Sequence, residues 1–182
     1  MSELLTHKGR PVPYITPWTS EKVTQPTPVA TLNGIAFPGP ASGRTEDNDV
    51  LWQWWRHNRG TGEPLWSTVH GPRQRRAMRK LLRQVCGEPA DRDERGWLWL
   101  LEDERNSGPS WPEGEMTTHP PVCVPCAPIA ARLCPHLRRR GAVAVRVAEV
   151  IVDAVYGHRY HHGPSTCTSP AAGPSSGWSA TS

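Results

Sequence analysis

The chain of 182 residues has room for one domain of ordinary size. Hydrophobic residues make up 36% of it, with 20 Pro, 16 Gly and one Phe, which excludes a large aliphatic core and leaves a small one leaning on nine Trp or on a metal. A net charge of +4 favours weak attraction to polyanions, and no window approaches the roughly 18 apolar residues of a membrane-spanning helix.

Residues 1–28 are dense in Pro, Thr, Ser and Lys, with Tyr14, Ile15 and Trp18 clustered among them, a composition that predicts disorder with one sticky patch. Residues 1–9 carry no apolar run of signal-peptide length, so the expected location is cytoplasmic, where cysteines in short pairs serve as metal ligands or redox groups. Short alternation over 29–37 predicts a brief strand, followed by a Gly, Pro and acid-rich loop over 38–48. Val50, Leu51, Trp52, Trp54 and Trp55 predict a strand, the turn residues at 58–62 reverse it, and 65–69 returns antiparallel, giving a hairpin over 50–69. Pro72 suits a first helical turn, and Ala77, Met78, Leu81 and Leu82 recur three and four apart, so 73–83 reads as a basic amphipathic helix. A charged turn over 91–95 leads to a strand over 96–101. Ile129, Ala130, Leu133 and Leu137 predict a short helix that holds Pro125 and Pro128 in its first turn and ends at Gly141. Periodicity over 142–155 fits a strand, a helix or one after the other, and the polar stretch 158–182 predicts a disordered tail. The whole reads as an α+β chain with one small domain over 29–157.

The cysteines carry the sharpest signal. A two-residue gap lets both thiolates of Cys123-Val124-Pro125-Cys126 turn toward one ion, and a helix opening behind them stabilises negative sulfur. The other half of a site lies at Val85-Cys86-Gly87, where glycine permits a tight left-handed turn after a ligand. Knuckle, hairpin, then a helix bearing a second ligand pair is an order that resembles the treble-clef zinc fingers, over 82–137. The segment Gln84-Val85-Cys86-Gly87-Glu88-Pro89 is also similar to one in small actinomycete proteins that have no assigned activity. The treble-clef resemblance implies Zn²⁺ on Cys86, Cys123 and Cys126 and a further ligand three residues before Cys86, where this chain has Arg83. Cys134, His136 or His119 can supply the fourth ligand, or water can, or the fold can stand without metal. The competing reading makes Cys86 and Cys134 small buried hydrophobes and the Cys123, Cys126 pair redox-active or inert. Cys167 in the tail reads as a free thiol, and His158, His161 and His162 as an adventitious cluster.

Treble clefs include metal-dependent nucleases, but only His119-Pro120 resembles their active site. Thr118 stands where an Asp is wanted and Ala127 where a helix His is wanted, so no catalytic residue is assigned. The expected function is that of a zinc-finger-like binding protein. Its first candidate partner is DNA or RNA, through Arg73, Arg75, Arg76, Arg79, Lys80 and Arg83, with Arg138, Arg139 and Arg140 extending the face and Trp52, Trp54 and Trp55 offering stacking surfaces. Glu94, Glu102, Asp103, Glu104, Glu113 and Glu115 oppose that reading if they share the surface with the arginines, and favour instead an adaptor that binds protein through a degenerate zinc site. No small-molecule substrate is evident.

Overall fold

The structure, a computed structural model, describes residues 4–32, 34–39, 50–157 and 178–181. It opens with a small hairpin in which β1 (Thr6–His7) pairs antiparallel with β2 (Arg10–Pro11) around Lys8 and Gly9, both at positive φ. Beyond it Val12, Ile15, Trp18 and Glu21 are buried, so the disorder expected over 1–28 is corrected for residues 4–28. A proline-rich stretch has little local structure of its own, yet its free backbone groups can be satisfied by distant chain. Here the Tyr14 N–H donates to the Val85 carbonyl at 2.8 Å, the Ile15 N–H to that of Gln84 at 3.3 Å, and the Thr24 N–H to that of Trp54 at 2.9 Å.

Over 29–37 the single expected strand is a hairpin of β3 (Val29–Thr31) with β4 (Gly34–Ala36), which pair antiparallel. The hairpin expected over 50–69 does not form. The chain there turns instead to the N-terminal segment: Trp55 of the first arm bridges Val23, Pro64 just ahead of the second arm bridges Trp18, and the Leu65 N–H donates to the Pro17 carbonyl at 2.8 Å. The apolar pattern marked extended chain correctly, but a strand's pattern says which face is buried and not which strand lies beside it. Trp54 packs edge-on to Phe37, with ring centroids 5.1 Å apart, and Trp55 lies on His70 at 4.7 Å.

The basic helix, α1 (Gly71–Arg79), starts earlier and ends sooner than predicted. His70 caps it, Nδ1 accepting from the Arg73 N–H at 3.3 Å, and Leu81 swings to φ 47°, which stops the helix short of Arg83. The chain then folds back tightly: Leu82 bridges Pro89, the Arg83 N–H donates to the Glu88 carbonyl, and the Gly87 N–H donates to that of Arg83, both at 2.8 Å.

Next come β5 (Arg92–Asp93), β6 (Gly96–Glu102), β7 (Met116–Thr117), α2 (Ala127–Leu133), α3 (Pro135–Arg140), β8 (Ala142–Val147), β9 (Glu149–Ile151) and β10 (Trp178–Thr181). β6 is central to an antiparallel sheet ordered β5-β6-β8, in a register running from Trp97 opposite Val147 to Glu102 opposite Ala142. A second small sheet is ordered β7-β10-β9. The ambiguous stretch after Gly141 is therefore strand, as its valines favour. The single predicted helix is two, broken at Cys134, because Pro135 offers no N–H and pushes the residue before it to extended backbone, here φ −73°, ψ 119°. Gly141 ends the second at φ 87°.

Both faces of β6 are covered. Leu98 and Leu100 join Val85, Val122, Cys123, Cys126, Ala130 and Leu137, while Trp99 and Leu101 join Met78 and Val147 on the other side. The expected α+β class holds. Among the described residues no helix is long and apolar enough to cross a membrane. The calls on Cys167 and on His158, His161 and His162 lie outside the described residues.

Candidate metal centre

Two separate pieces of chain supply the sulfurs. The turn over 82–89 presents Cys86, with Gly87 at φ 77° providing the left-handed step just after it. The Val122 N–H donates to the Leu98 carbonyl at 2.9 Å and fastens the second cysteine pair to β6. A turn then brings Cys123 and Cys126 to the same side: the Cys126 and Ala127 N–H groups both donate to the Cys123 carbonyl at 2.9 Å, and Cys126 is the N-cap of α2. The Sγ atoms of Cys86, Cys123 and Cys126 all lie within 4.8 Å of one another. A tetrahedral zinc with Zn–S bonds of about 2.3 Å sets its sulfurs about 3.8 Å apart, so the group is of a size to hold such an ion. Cys123 and Cys126 are buried and Cys86 is half-buried.

Burial, reinforced by the Cys123 and Cys86 sulfurs, pushes the Cys126 thiol up to about 12. Three sulfurs crowded in an apolar pocket are a poor home for negative charge by themselves, and a bound dication inverts that balance by deprotonating its ligands. One cation is already beside them. Arg83 Nη1 donates to Cys86 Sγ at 3.9 Å, while Nη2 is paired with Asp91. Burial works against the Arg83 charge, but the hydrogen bond to Cys86 and the charge of Asp91 overcome it and raise its pKa.

The candidates for a fourth ligand are placed elsewhere. Cys134 packs against the same apolar cluster without joining the sulfur group. His136 is exposed, with Nδ1 3.8 Å from Glu102 Oε1. His119 accepts at its carbonyl from Trp99 Nε1 at 2.6 Å and donates its N–H to Thr117 Oγ1 at 3.1 Å; burial lowers its pKa. The Pro135 break that separates α3 from α2 turns the Cys134–His136 stretch off the helix that starts at the metal pair.

The basic set divides in the same way. Arg76, Arg79 and Lys80 are exposed on α1, and no acidic residue stands in the first turn of that helix. Arg73 is buried, with Nη2 donating to Glu21 Oε2 and to the Thr16 carbonyl, each at 2.8 Å. Arg75 lies over the Trp52 ring, 4.3 Å from its centroid, and Arg83 is engaged as above. The other basic end is interleaved with acids, Arg140 pairing with Glu102 at 3.2 Å and with Glu104 at 3.8 Å, and Arg105 with Asp103, whose carboxyl it holds down at about 2. Trp52, Trp54 and Trp55, proposed as stacking platforms, are half-buried against Arg75, Phe37 and His70.

A second polar centre went unread in the sequence. Glu21 lies inside the fold with 1% of its surface exposed and accepts from both Arg73 nitrogens, from the Trp18 N–H at 3.0 Å and from the Asn58 N–H at 3.3 Å. Burial alone raises its pKa, but the Arg73 hydrogen bonds and charge outweigh that and hold it below the ordinary value. His70 is fully buried beside them, and burial together with the Arg73 charge lowers its pKa to about 4. The only local sign was His70 standing immediately before Gly71-Pro72, the place of a helix cap. Comparison with protein-family models, with curated proteins and with solved structures finds no match to this chain.

Proposed function

We propose that the chain is a zinc-stapled binding protein whose 82–137 region is a treble-clef-like unit, and that its first partner is nucleic acid. The observation that supports it is the meeting of Cys86, from a tight turn, with Cys123 and Cys126, from the mouth of a helix, within 4.8 Å. Cys86, Cys123 and Cys126 would hold the ion, which supplies a structural cross-link between the turn, β6 and α2. Three thiolates around a dication carry one net negative charge, and the guanidinium of Arg83 at Cys86 Sγ offsets it. On this reading Arg83 is a counter-charge to the site, and the fourth position falls to water or an external ligand.

The nucleic-acid face narrows to Arg76, Arg79 and Lys80. Three phosphate contacts give a salt slope of about −2.7, or roughly a 500-fold loss of affinity between 50 and 500 mM salt. An adaptor that binds protein is the second reading, favoured by the mixed charges of Arg140, Glu102 and Glu104.

One preparation tests both parts. Untagged full-length protein is expected to carry close to one zinc per chain by mass spectrometry and the Cys123→Ser variant far less, with Arg83→Cys binding zinc more tightly. The same protein should bind a DNA or RNA duplex at low salt and release it at high salt. Less than about 0.2 zinc per chain sinks the metal reading, since structural sites of this type stay filled through purification. Binding that ignores salt, or is absent at 50 mM, sinks the nucleic-acid reading.

A further inference from the structure

A cavity of about 310 Å³ lies between the N-terminal segment and the start of α1, lined by Tyr14, Glu21, His57, Arg59, Pro72, Arg73 and Arg76. Three guanidinium groups converge on the one tyrosine there. Arg59 Cζ is 5.2 Å and Arg73 Cζ 5.9 Å from the centroid of the Tyr14 ring, and Arg76 Nη1 donates to the Tyr14 hydroxyl at 3.2 Å. Glu21 is the single carboxylate in the lining, and it is spent. A carboxylate has about four acceptor sites, and those of Glu21 face two Arg73 nitrogens and the N–H groups of Trp18 and Asn58.

The lining is therefore short of acceptors and rich in donors. With Glu21 cancelling Arg73, Arg59 and Arg76 leave two positive charges uncompensated within the wall. The Arg73 side chain is 8% exposed, yet its Nε has no acceptor among the described residues. Burial and the neighbouring Arg73 charge also lower the pKa of Arg59, the condition that a bound anion relieves. The first turn of α1 adds its own positive end.

We propose that this cavity binds the phosphate group of a small phosphate monoester, with Arg59, Arg73 and Arg76 as the cationic clamp and the Tyr14 hydroxyl as a further donor. The charge selects the class: a monoester carries about −1.5 to −2 at pH 7 and matches two free guanidiniums, whereas a diester carries one charge. The volume, at the small end of ligand pockets, takes a phosphate with a compact organic group against Pro72. The inference does not rest on the metal centre, because no candidate zinc ligand lines the cavity; Arg76 is shared with the nucleic-acid face, and Arg59, which lies outside that face, tells the two apart.

Calorimetric titration of the full chain with inorganic phosphate, AMP, cyclic AMP and adenosine tests it. Inorganic phosphate and AMP should both saturate with dissociation constants of about 1 mM or tighter. Cyclic AMP, a diester, should bind at least about tenfold more weakly, and adenosine should not bind. AMP more than about tenfold tighter than inorganic phosphate identifies a mononucleotide as occupant, and equal affinities identify the bare anion, with the phosphate as the recognised group in both cases. Arg59→Ala, at an exposed site that leaves the buried Glu21–Arg73 pair intact, should weaken phosphate at least tenfold, with partial rescue by Arg59→Lys, while Arg95→Ala changes nothing. Phosphate should also shift amide resonances of residues 57–59 and 73–76 in the wild-type protein, a readout that needs no variant. No saturation by about 20 mM phosphate, adenosine binding as well as AMP, unmoved resonances, or an indifferent Arg59→Ala would each overturn the proposal.

Discussion

The sulfur group and the Glu21–Arg73–His70 centre are both buried polar clusters, and they are held by opposite means. Cys86, Cys123 and Cys126 are gathered by two tight turns, each closed by hydrogen bonds between residues a few positions apart, and could hold an external ion. Glu21 and Arg73 stand 52 residues apart and carry their own balance, carboxylate against guanidinium, with every Glu21 acceptor engaged. The first centre is built from local turns and is of a size to take an ion from outside. The second balances its charge within the chain and exists only when the N-terminal segment is folded onto α1.

Breaking the internal pair is the severest test of that contrast. Glu21→Gln removes the charge and leaves Arg73 buried without a counter-ion, an uncompensated state that costs about 3–5 kcal/mol. Replacing both partners, Glu21→Gln with Arg73→Met, should recover much of the loss, because the double variant buries no charge. Urea denaturation followed by circular dichroism measures both. A single variant that costs less than about 1 kcal/mol would show that the pair is a surface pair and not the self-sufficient centre described.

This difference in construction also decides what was legible in the sequence. Cys123 and Cys126 sit in a four-residue motif, Cys86 stands before a glycine, and α1 and β6 show their periodicity within one window, so all of these were readable. The α1 end was misplaced because Leu81 leaves helical backbone while keeping the apolar spacing that predicted helix through Arg83. The partners of the extended segments were misread for a related reason. Residues 50–55 and 65–69 look like two arms of a hairpin, and the pairing of Trp55 with Val23 and of Leu65 with Pro17 depends on a segment whose composition alone predicts disorder. Arg73 was counted with the surface arginines since helical spacing cannot reveal a carboxylate delivered from Glu21. Position 83 was marked as a missing ligand; that an arginine there contacts Cys86 Sγ and pairs with Asp91 is tertiary information.

Acid separates the two centres by a smaller effect. His70 has its folded pKa lowered to about 4, so the unfolded chain takes up its proton first as the pH falls below about 6.5. Its contribution is complete above pH 6.5 and is lost progressively as the pH falls toward 4, amounting to about 2–3 kcal/mol; Glu21, also lowered, adds a loss of the same sign below its unfolded pKa. His70→Asn keeps a capping acceptor and removes the titration. Relative to that variant, the wild type should lose stability between pH 6.5 and 4. Parallel pH profiles for the two proteins would show that the acid sensitivity belongs to other groups, and not to this centre.

The smallest effect tests whether the centres are independent at all. The Tyr14 ring is near both: Arg73 Cζ of the second centre lies 5.9 Å from its centroid and Arg76 donates to its hydroxyl, while the ring packs over Gly87, where an added Cβ would lie 2.8 Å from Cδ2. Gly87→Ala therefore suffers twice. It places a side chain at φ 77°, a backbone penalty of about 1–2 kcal/mol, and it forces the ring away from the turn that presents Cys86. If the ring couples the two regions, Gly87→Ala should weaken metal retention and disturb Arg76 and Arg59 together, and Tyr14→Ala should relieve the steric part without curing the backbone part. A double-mutant cycle between Gly87→Ala and Tyr14→Ala reads that coupling directly, as a non-additivity of about 0.5 kcal/mol or more. Strict additivity would mean that the turn and the arginine cavity share a neighbour without sharing any free energy.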